Sequence, residues 1–291
     1  MANPSIAEAR EEPQPAVTFL PEVYVKANDL QRKTNIRTLE RLGINFKSRP
    51  SADQQFIDIG CGTGDFTRQE LLQRCQPCRR IVATDIGESM VTYAKENFAH
   101  PQIEYQVHDI SIDVSGLVKR YGQFNRVYSF YTLHFAKDYV TAFRNISDLM
   151  TSGGECLLLF VARWTGYEVW RTIAQMDRWK AYEEISEKFI PDSHDLEDNT
   201  SLISYMLDIL ETVNLKPHAC RILTNSSLVE DLEDTIRMNI AVHPFLPLLP
   251  VESRARYKDD VENVIRSHWK QSNDGDPHYD ADMFVIHAEK S

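Results

Sequence analysis

Two periods of apolar residues run through the chain. From residue 55 to residue 162 short continuous apolar runs alternate with stretches whose apolar positions recur every three or four residues. The runs "QFIDI", "RIVAT", "IEYQV", "RVYSFYTL" and "ECLLLFVA" predict five strands, the last rich enough in Leu and Val to be buried on both faces. Between them "DFTRQELLQRC", "SMVTYAKENFA" and "YVTAFRNISDLM" predict helices, the third closed by "TSGG". Repeated strand-helix units build a mostly parallel sheet with helices on both faces, a Rossmann-like α/β architecture.

Upstream of this core, "VYVKANDLQRKTNIRTLERLGINF" carries Leu30, Ile36, Leu39 and Leu42 at helical spacings and predicts an amphipathic helix from about Asn28 to Leu42. Downstream the pattern becomes aromatic and charged in "RWTGYEVWRTIAQMDRWKAYEEISEKFI", which reads as a helical insertion above the sheet. A helix in "SLISYMLDILETVN" and strands in "HACRILTNS" and "ADMFVIHAEK" bring the expected sheet to seven, the closing strand being one of an edge pair. Pro244, Pro247 and Pro250 break the segment between those strands into an apolar loop followed by a helix. The resulting organisation is a disordered tail over 1–20 and a single domain over 21–291. Within it, residues 22–48 form a lid helix, and 163–200 and 241–272 form insertions over a substrate pocket.

Composition narrows the function. Thirty-two Lys and Arg against 43 Asp and Glu give a formal charge of −11, which repels a nucleic-acid backbone. Five cysteines, Cys75 and Cys78 forming the one CxxC, lie mostly in apolar runs and suit reduced thiols in a cytoplasmic protein. A zinc site at that CxxC would need two more ligands, and no metal is expected. The first twenty residues lack the apolar stretch of a signal peptide, and no run is long enough to span a bilayer.

Candidate chemistry centres on "FIDIGCGTGDF". Gly60, Gly62 and Gly64 fall after a strand and before a helix, where backbone without side chains can touch a ligand. A dinucleotide site prefers G-x-G-x-x-G with a pyrophosphate at the helix N-terminus. Here the third glycine comes one residue early, and Asp65 at the helix start repels a phosphate while Asp58 adds a second carboxylate. Two acids beside the loop suit a cationic cofactor without phosphates, S-adenosyl-L-methionine. Asp85 ends the next strand at the spacing that grips ribose hydroxyls, and Asp109, with Ile110 after it, follows the third strand where an adenine would lie. Alone, either aspartate reads as a helix cap or a solvated strand end; in register they form one set. The pattern D-x-G-x-G-x-G resembles the first motif of the class I methyltransferases.

Methyl transfer needs an acceptor lone pair in line with the donor carbon, and a base only where the acceptor holds a proton. A carboxylate is ionised at pH 7 and needs orientation alone. Donors for it lie in "YSFYTLHF" and "DLQRKT", above all His134 and Gln31, although His134 also reads as a core histidine and Gln31 as a solvated helix position.

"VYVKANDLQRK", "YSFYTLHF", "AFRNI" and "GGECLLLF" resemble, in order and spacing, the insect juvenile hormone acid methyltransferases from about Tyr24 to Phe160, and more loosely beyond. That resemblance implies a monomeric or weakly dimeric cytoplasmic enzyme that methylates the carboxylate of a small hydrophobic acid such as farnesoic acid or juvenile hormone acid. It implies Gln31 and His134 as catalytic residues. Cofactor contacts would come from Asp58, Gly60, Cys61, Gly62, Gly64, Asp85, Ile86, Met90, Asp109, Ile110 and Ser129, and substrate contacts from Gln31, Tyr131, His134, Phe135, Trp164 and Trp170. One position departs: the family's Y-T-L-H-W has Phe135 in place of tryptophan, and a phenyl ring offers no N–H to a carboxylate. Loss of that donor leaves open a drift to another acceptor, or a protein that binds cofactor and lipid without turnover. Trp164, Tyr167, Trp170, Trp179 and Phe245, with Leu246, Leu248 and Leu249, are expected either to wall an apolar pocket or to pack the insertions onto the sheet.

Overall fold

The computed structural model describes residues 19–41, 46–228, 232–271 and 278–291. Most of the expected tail lies outside them.

Seven strands form one sheet: β1 (Gln55–Ile59), β2 (Arg80–Asp85), β3 (Ile103–Val107), β4 (Phe124–Phe130), β5 (Met150–Trp164), β6 (Leu215–Leu228) and β7 (His278–Lys290). Their order is β3-β2-β1-β4-β5-β7-β6, with the first five parallel and β7 antiparallel to both its neighbours. The chain runs outward from β1 to β3 and then returns to place β4 on β1's other side. That reversal opens a crevice at the carboxyl ends of β1 and β4, where open α/β sheets bind ligands. Alternation along the strands serves two cores. Ile57, Val82, Val127, Leu158 and Phe160 face one side, and Phe56, Ile81, Ala83, Tyr128, Leu157 and Leu159 face the other, all at most 2% exposed.

The helices are α1 (Pro21–Ala27), α2 (Asp29–Arg41), α3 (Leu72–Arg74), α4 (Glu88–Asn97), α5 (Ser115–Tyr121), α6 (Tyr139–Leu149), α7 (Thr165–Ala174), α8 (Glu183–Lys188), α9 (Asn199–Thr212), α10 (Leu232–Ala241) and α11 (Val251–Gln271). A π-helical turn, Thr67–Leu71, leads into α3. Asp138 and Asp198 cap α6 and α9 by accepting from the amides of Thr141 and Ser201 at 3.0 and 2.7 Å. None of the described helices is long and apolar enough to cross a membrane.

Three expectations need amendment, and one element is new. The helix expected from about Asn28 to Leu42 is α2, but the lid over 22–48 holds a second helix, α1, divided from it at Asn28, whose side chain reaches Asp65 and ties the break to the core. The "TSGG" segment does not close a helix but bulges from β5. Met150 pairs with Phe124 and Glu155 with Arg126, and the intervening residues leave the ladder around Gly153 at φ 69°. The fourth strand stops at Phe130, because Tyr131 takes φ 54° and turns the chain into the 3-10 turn Leu133–Phe135. Helix α5, seven residues long, went unforeseen between β3 and β4.

Candidate functional site

The glycine turn sits at the crevice. Gly60 has φ 76°, and a Cβ on it would fall 1.9 Å from the Thr132 hydroxyl, so no side chain fits between β1 and the turn after β4. Gly64, also at φ 76°, lets the following turn approach α4 and β3, where a Cβ would meet Ala94 at 2.7 Å and Tyr105 at 2.9 Å. The three glycines thus answer to packing as well as to a ligand. Cys61 between them is a buried thiol whose burial raises its pKa well above the ordinary value, which makes it inert.

Three carboxylates converge on this turn. Asp58 is 3% exposed and accepts from the Thr67 hydroxyl at 2.6 Å; burial pushes its pKa up to about 7 against that bond, helped by the charges of Asp85 and Asp65. Asp85 accepts the amides of Gly62 and Gly87 at 2.8 and 2.9 Å, one on each oxygen, and burial raises its pKa too. Each oxygen keeps a lone pair for a ribose hydroxyl. Asp65 is bonded to Thr63, Asn28 and Arg32 at 2.6, 3.3 and 3.3 Å. Asp58, held back by desolvation and by the charges of Asp85 and Asp65, and Asp85, held back by desolvation, are relieved by a cationic ligand and penalised by an anionic one. The residues present therefore fit S-adenosylmethionine, with its ammonium and sulfonium groups, and do not fit a pyrophosphate.

Helices α1 and α2 close over the turn. A side chain at Gly62 would meet the Tyr24 ring at 3.5 Å, and Arg32 pairs with both Asp65 and Glu70 at 3.3 and 2.7 Å. The remaining cavity measures about 30 Å³, lined by Tyr24, Asn28, Gln31 and Arg32 from the lid and by Asp58, Gly60, Cys61 and Phe130 from the sheet. That is room for about one water, whereas a nucleoside-sized ligand needs some ten times more.

Gln31 faces this cavity, and the Tyr24 hydroxyl donates to its Oε1 at 2.9 Å. Burial, then the nearby charges of Asp65 and Asp85, hold the Tyr24 phenol protonated at any physiological pH. Tyr131 carries the rare left-handed backbone for a bulky side chain, a conformation that concentrates at functional turns. Its phenol, pushed up to about 12 by burial, bonds the lid's Thr34 hydroxyl. His134 and Phe135 follow in the 3-10 turn. Burial lowers the His134 pKa to about 3, leaving a neutral imidazole whose Nδ1 has no partner among the described residues. Phe135 packs on His134 at 4.1 Å between ring centroids and on Phe19 and Phe189 at 5.6 and 6.4 Å, and Phe19 stacks on Tyr24.

The other expected residues spread wider. Ile86 is 37% exposed just after β2, while Met90 and Ile110 are buried. Asp109 accepts the Ser111 amide at 2.8 Å on one oxygen, and among the described residues its second oxygen has no hydrogen-bond partner. Ser129, 1% exposed, donates to the Ile59 carbonyl at 2.9 Å and joins β4 to β1. Trp164 packs edge-on against Tyr167 and Trp170, and Trp170 is buried with its indole N–H unpaired among the described residues. Trp179 donates to Asp260 at 2.8 Å and lies with Phe245, Leu246 and Leu249 in the core between the two insertions. Those four pack the insertions together, whereas Leu248 is 43% exposed. Among the described residues no group of three or more His, Cys, Asp or Glu side chains is placed to hold a metal ion.

Sequence reasoning passed over Tyr24, Asn28 and Arg32. Their signal was present as polar side chains at buried or half-buried helix positions, but a partner 33 or 37 residues away is not readable from a local pattern.

A methyltransferase domain model matches residues 56–154. The chain is 31% identical over 247 residues to juvenile hormone acid O-methyltransferase of Bombyx mori, covering 84% of this chain and 85% of that one. It is 28% identical over 249 residues to the enzyme of the same name from Drosophila melanogaster, covering 84% and 82%. Among solved structures, phosphoethanolamine N-methyltransferase 2 of Haemonchus contortus, in complex with S-adenosyl-L-methionine, superposes with a TM-score of 0.55 at 17% identity. That alignment covers 93% of this chain and 56% of that one. The likeness to that structure is one of fold.

Proposed function

Since the chain belongs to the class I S-adenosylmethionine-dependent methyltransferases, in the family of the juvenile hormone acid O-methyltransferases, we propose that it methylates the carboxylate of a small hydrophobic acid, farnesoid or fatty. The observation that carries this reading is the neutral, weakly basic His134 in the turn that follows β4. An imidazole whose conjugate acid has a pKa of about 3 is a poor base for stripping a phenol or an ammonium. An acceptor that arrives already ionised has no such need. Gln31, with its Oε1 engaged by Tyr24, presents its NH₂ group as a donor to one carboxylate oxygen, and the neutral His134 supplies a second polar contact.

When bound, S-adenosylmethionine supplies an electrophilic methyl group on a sulfonium. The chain's part is to place and shield. Asp58 and the Gly60 to Gly64 turn hold the ammonium end, Asp85 the ribose, and Asp109 the far end of the nucleoside. Gln31 strips water from one carboxylate oxygen and fixes its direction, and lid closure over Phe135 and Phe19 excludes bulk solvent. Tyr131, Phe135, Trp164 and Trp170 surround the acid's apolar portion. Burial of that portion contributes about 25 cal/mol per Å², so recognition of the carboxylate itself can stay modest. The described cysteines are unbridged, in keeping with a cytoplasmic protein, and we assign it as a monomer or weak homodimer.

One observation favours a second reading, a different small-molecule acceptor: Phe135 cannot donate where the relatives' pattern has an indole. A panel of terpenoid and fatty acids with methyl-labelled S-adenosylmethionine separates the two. Labelled methanol released by alkaline hydrolysis of the product establishes a methyl ester. Cofactor binding with no ester from any acid overturns carboxyl transfer.

A further inference from the structure

Asn35 stands one helical turn beyond Gln31 on α2, so the two amides share a face with their Cβ atoms about 5–6 Å apart. Both line the cavity under the lid, opposite Asp58 and Gly60 of the sheet. Asn35 is 6% exposed, yet its Oδ1 has no hydrogen-bond partner among the described residues. The other polar side chains on this face of the lid are engaged: Tyr24 with Gln31, Asn28 and Arg32 with Asp65, and Thr34 with Tyr131. Taking an amide out of water without a partner costs stability, and a leucine of nearly the same shape would carry no such cost. Packing therefore does not account for an asparagine at this position, whereas a ligand does.

The rest of the cavity wall says which ligand. Asp58 and Asp65 suit the cationic methyl donor. Arg32, the one cation among the described residues that line the cavity, is held by Asp65 and Glu70, so an anionic acceptor meets no unpaired positive charge there and has to be received by neutral donors. Gln31 offers its NH₂ group to one carboxylate oxygen, and Phe135 has no N–H for the other. The bond between Thr34 and Tyr131 holds this part of α2 against the turn that leads to His134 and Phe135. We propose that Asn35 is a further carboxylate-binding residue, its NH₂ group donating to the acceptor oxygen that Gln31 leaves, in the role that an indole at position 135 would fill. An amide oxygen with no bond to lose lets the group turn about its last side-chain torsion and present nitrogen to the anion. This deepens the proposed function and rests on its reading of the acceptor as a carboxylate.

Calorimetry tests it on the full chain saturated with S-adenosylhomocysteine, titrated with farnesoic and dodecanoic acids and with farnesol and dodecanol as their neutral counterparts. Asn35→Leu is expected to weaken both acids about tenfold, the worth of one hydrogen bond to a charged group, and both alcohols by less than about threefold. Its Tm should hold or rise because a buried unpaired amide has gone, with S-adenosylhomocysteine affinity within about twofold. Adding Phe135→Trp to Asn35→Leu should restore most of the acid affinity. Undiminished acid affinity in Asn35→Leu, or an equal loss for acids and alcohols, overturns the proposal, and methyl ester formed by the parent protein then leaves the proposed function standing. Acid binding that depends on Asn35, with no ester from the parent, keeps the carboxylate site and overturns methyl transfer to it. Failure of the parent to bind either acid overturns both.

Discussion

The Tyr24 hydroxyl donates to Gln31 Oε1 at 2.9 Å across two turns of the lid. An amide whose oxygen is taken can only offer its nitrogen, so Tyr24 sets Gln31 as a donor toward the crevice. Tyr24→Phe keeps the ring over Gly62 and removes that constraint. It is expected to lower kcat/KM for the acid about tenfold, close to the worth of one hydrogen bond to a charged group, with S-adenosylhomocysteine affinity within about twofold. Gln31→Ala should cost more, and adding Tyr24→Phe to it should cost nothing further. Additive losses in that double-mutant cycle would show that Tyr24 acts on the site by another route.

Asp58 gives cofactor binding a pH dependence of known sign. Its pKa lies near 7 in the folded protein against about 3.9 for an unperturbed aspartate, so folding takes up a proton between those values. The stability of the unliganded protein from this group therefore declines as pH rises from about 4 to about 7. A cationic ligand reverses the preference and favours the carboxylate, so binding below pH 7 must expel that proton. S-adenosylhomocysteine, which keeps the ammonium, should bind about tenfold more tightly at pH 8 than at pH 6 by calorimetry, and Asp58→Asn should flatten the slope. An unchanged slope in that variant would place the titrating group elsewhere.

How much of this was legible before folding depends on range. The glycine turn, Asp58 and Asp85 are local to strand ends, and short apolar runs are enough to place them. Asp65 was read as an acid at a helix start that repels a phosphate, and the structure gives it Asn28 and Arg32 as partners, because a helix 33 residues upstream folds across it. The lid was expected from an apolar period, yet its working residues, Tyr24 and Gln31, are polar positions on the same face. The "TSGG" run misled because glycine and serine mark a bulge as readily as a helix end, and only pairing with β4 distinguishes them. Trp179 read equally as a pocket wall or as packing between the insertions, and Asp260, 81 residues on, settles it for packing by accepting its N–H.

Asp85 ties the glycine turn to the end of β2 through the Gly62 and Gly87 amides, and the proposed function gives it the ribose as well. Asp85→Ala removes the acceptor for both the Gly62 and Gly87 amides and should lower thermal stability together with cofactor affinity. Asp85→Asn keeps one oxygen. It should restore much of the stability but little of the affinity, because a neutral amide is a weaker acceptor for two hydroxyls. Parallel recovery of both properties would mean that the ribose does not touch this side chain.

Phe135 decides how far the acceptor resembles that of the named relatives. Its ring is enclosed by His134, Phe19 and Phe189, so the position is aromatic by packing and lacks only the donor. An indole there restores an N–H within a desolvated box, where one more bond to a buried carboxylate is worth about 1.5–3 kcal/mol, or roughly ten- to a hundredfold. Phe135→Trp is accordingly expected to raise kcat/KM on farnesoic acid, chiefly through KM, since the bond exists in ground state and transition state alike. The larger ring must displace Phe19 or Phe189 slightly, which should cost about 1 kcal/mol of stability or more, read as a lower Tm. A loss of activity at unchanged Tm would mean that the box has adapted to an acceptor without a carboxylate at this point, and would move the assignment to the second reading.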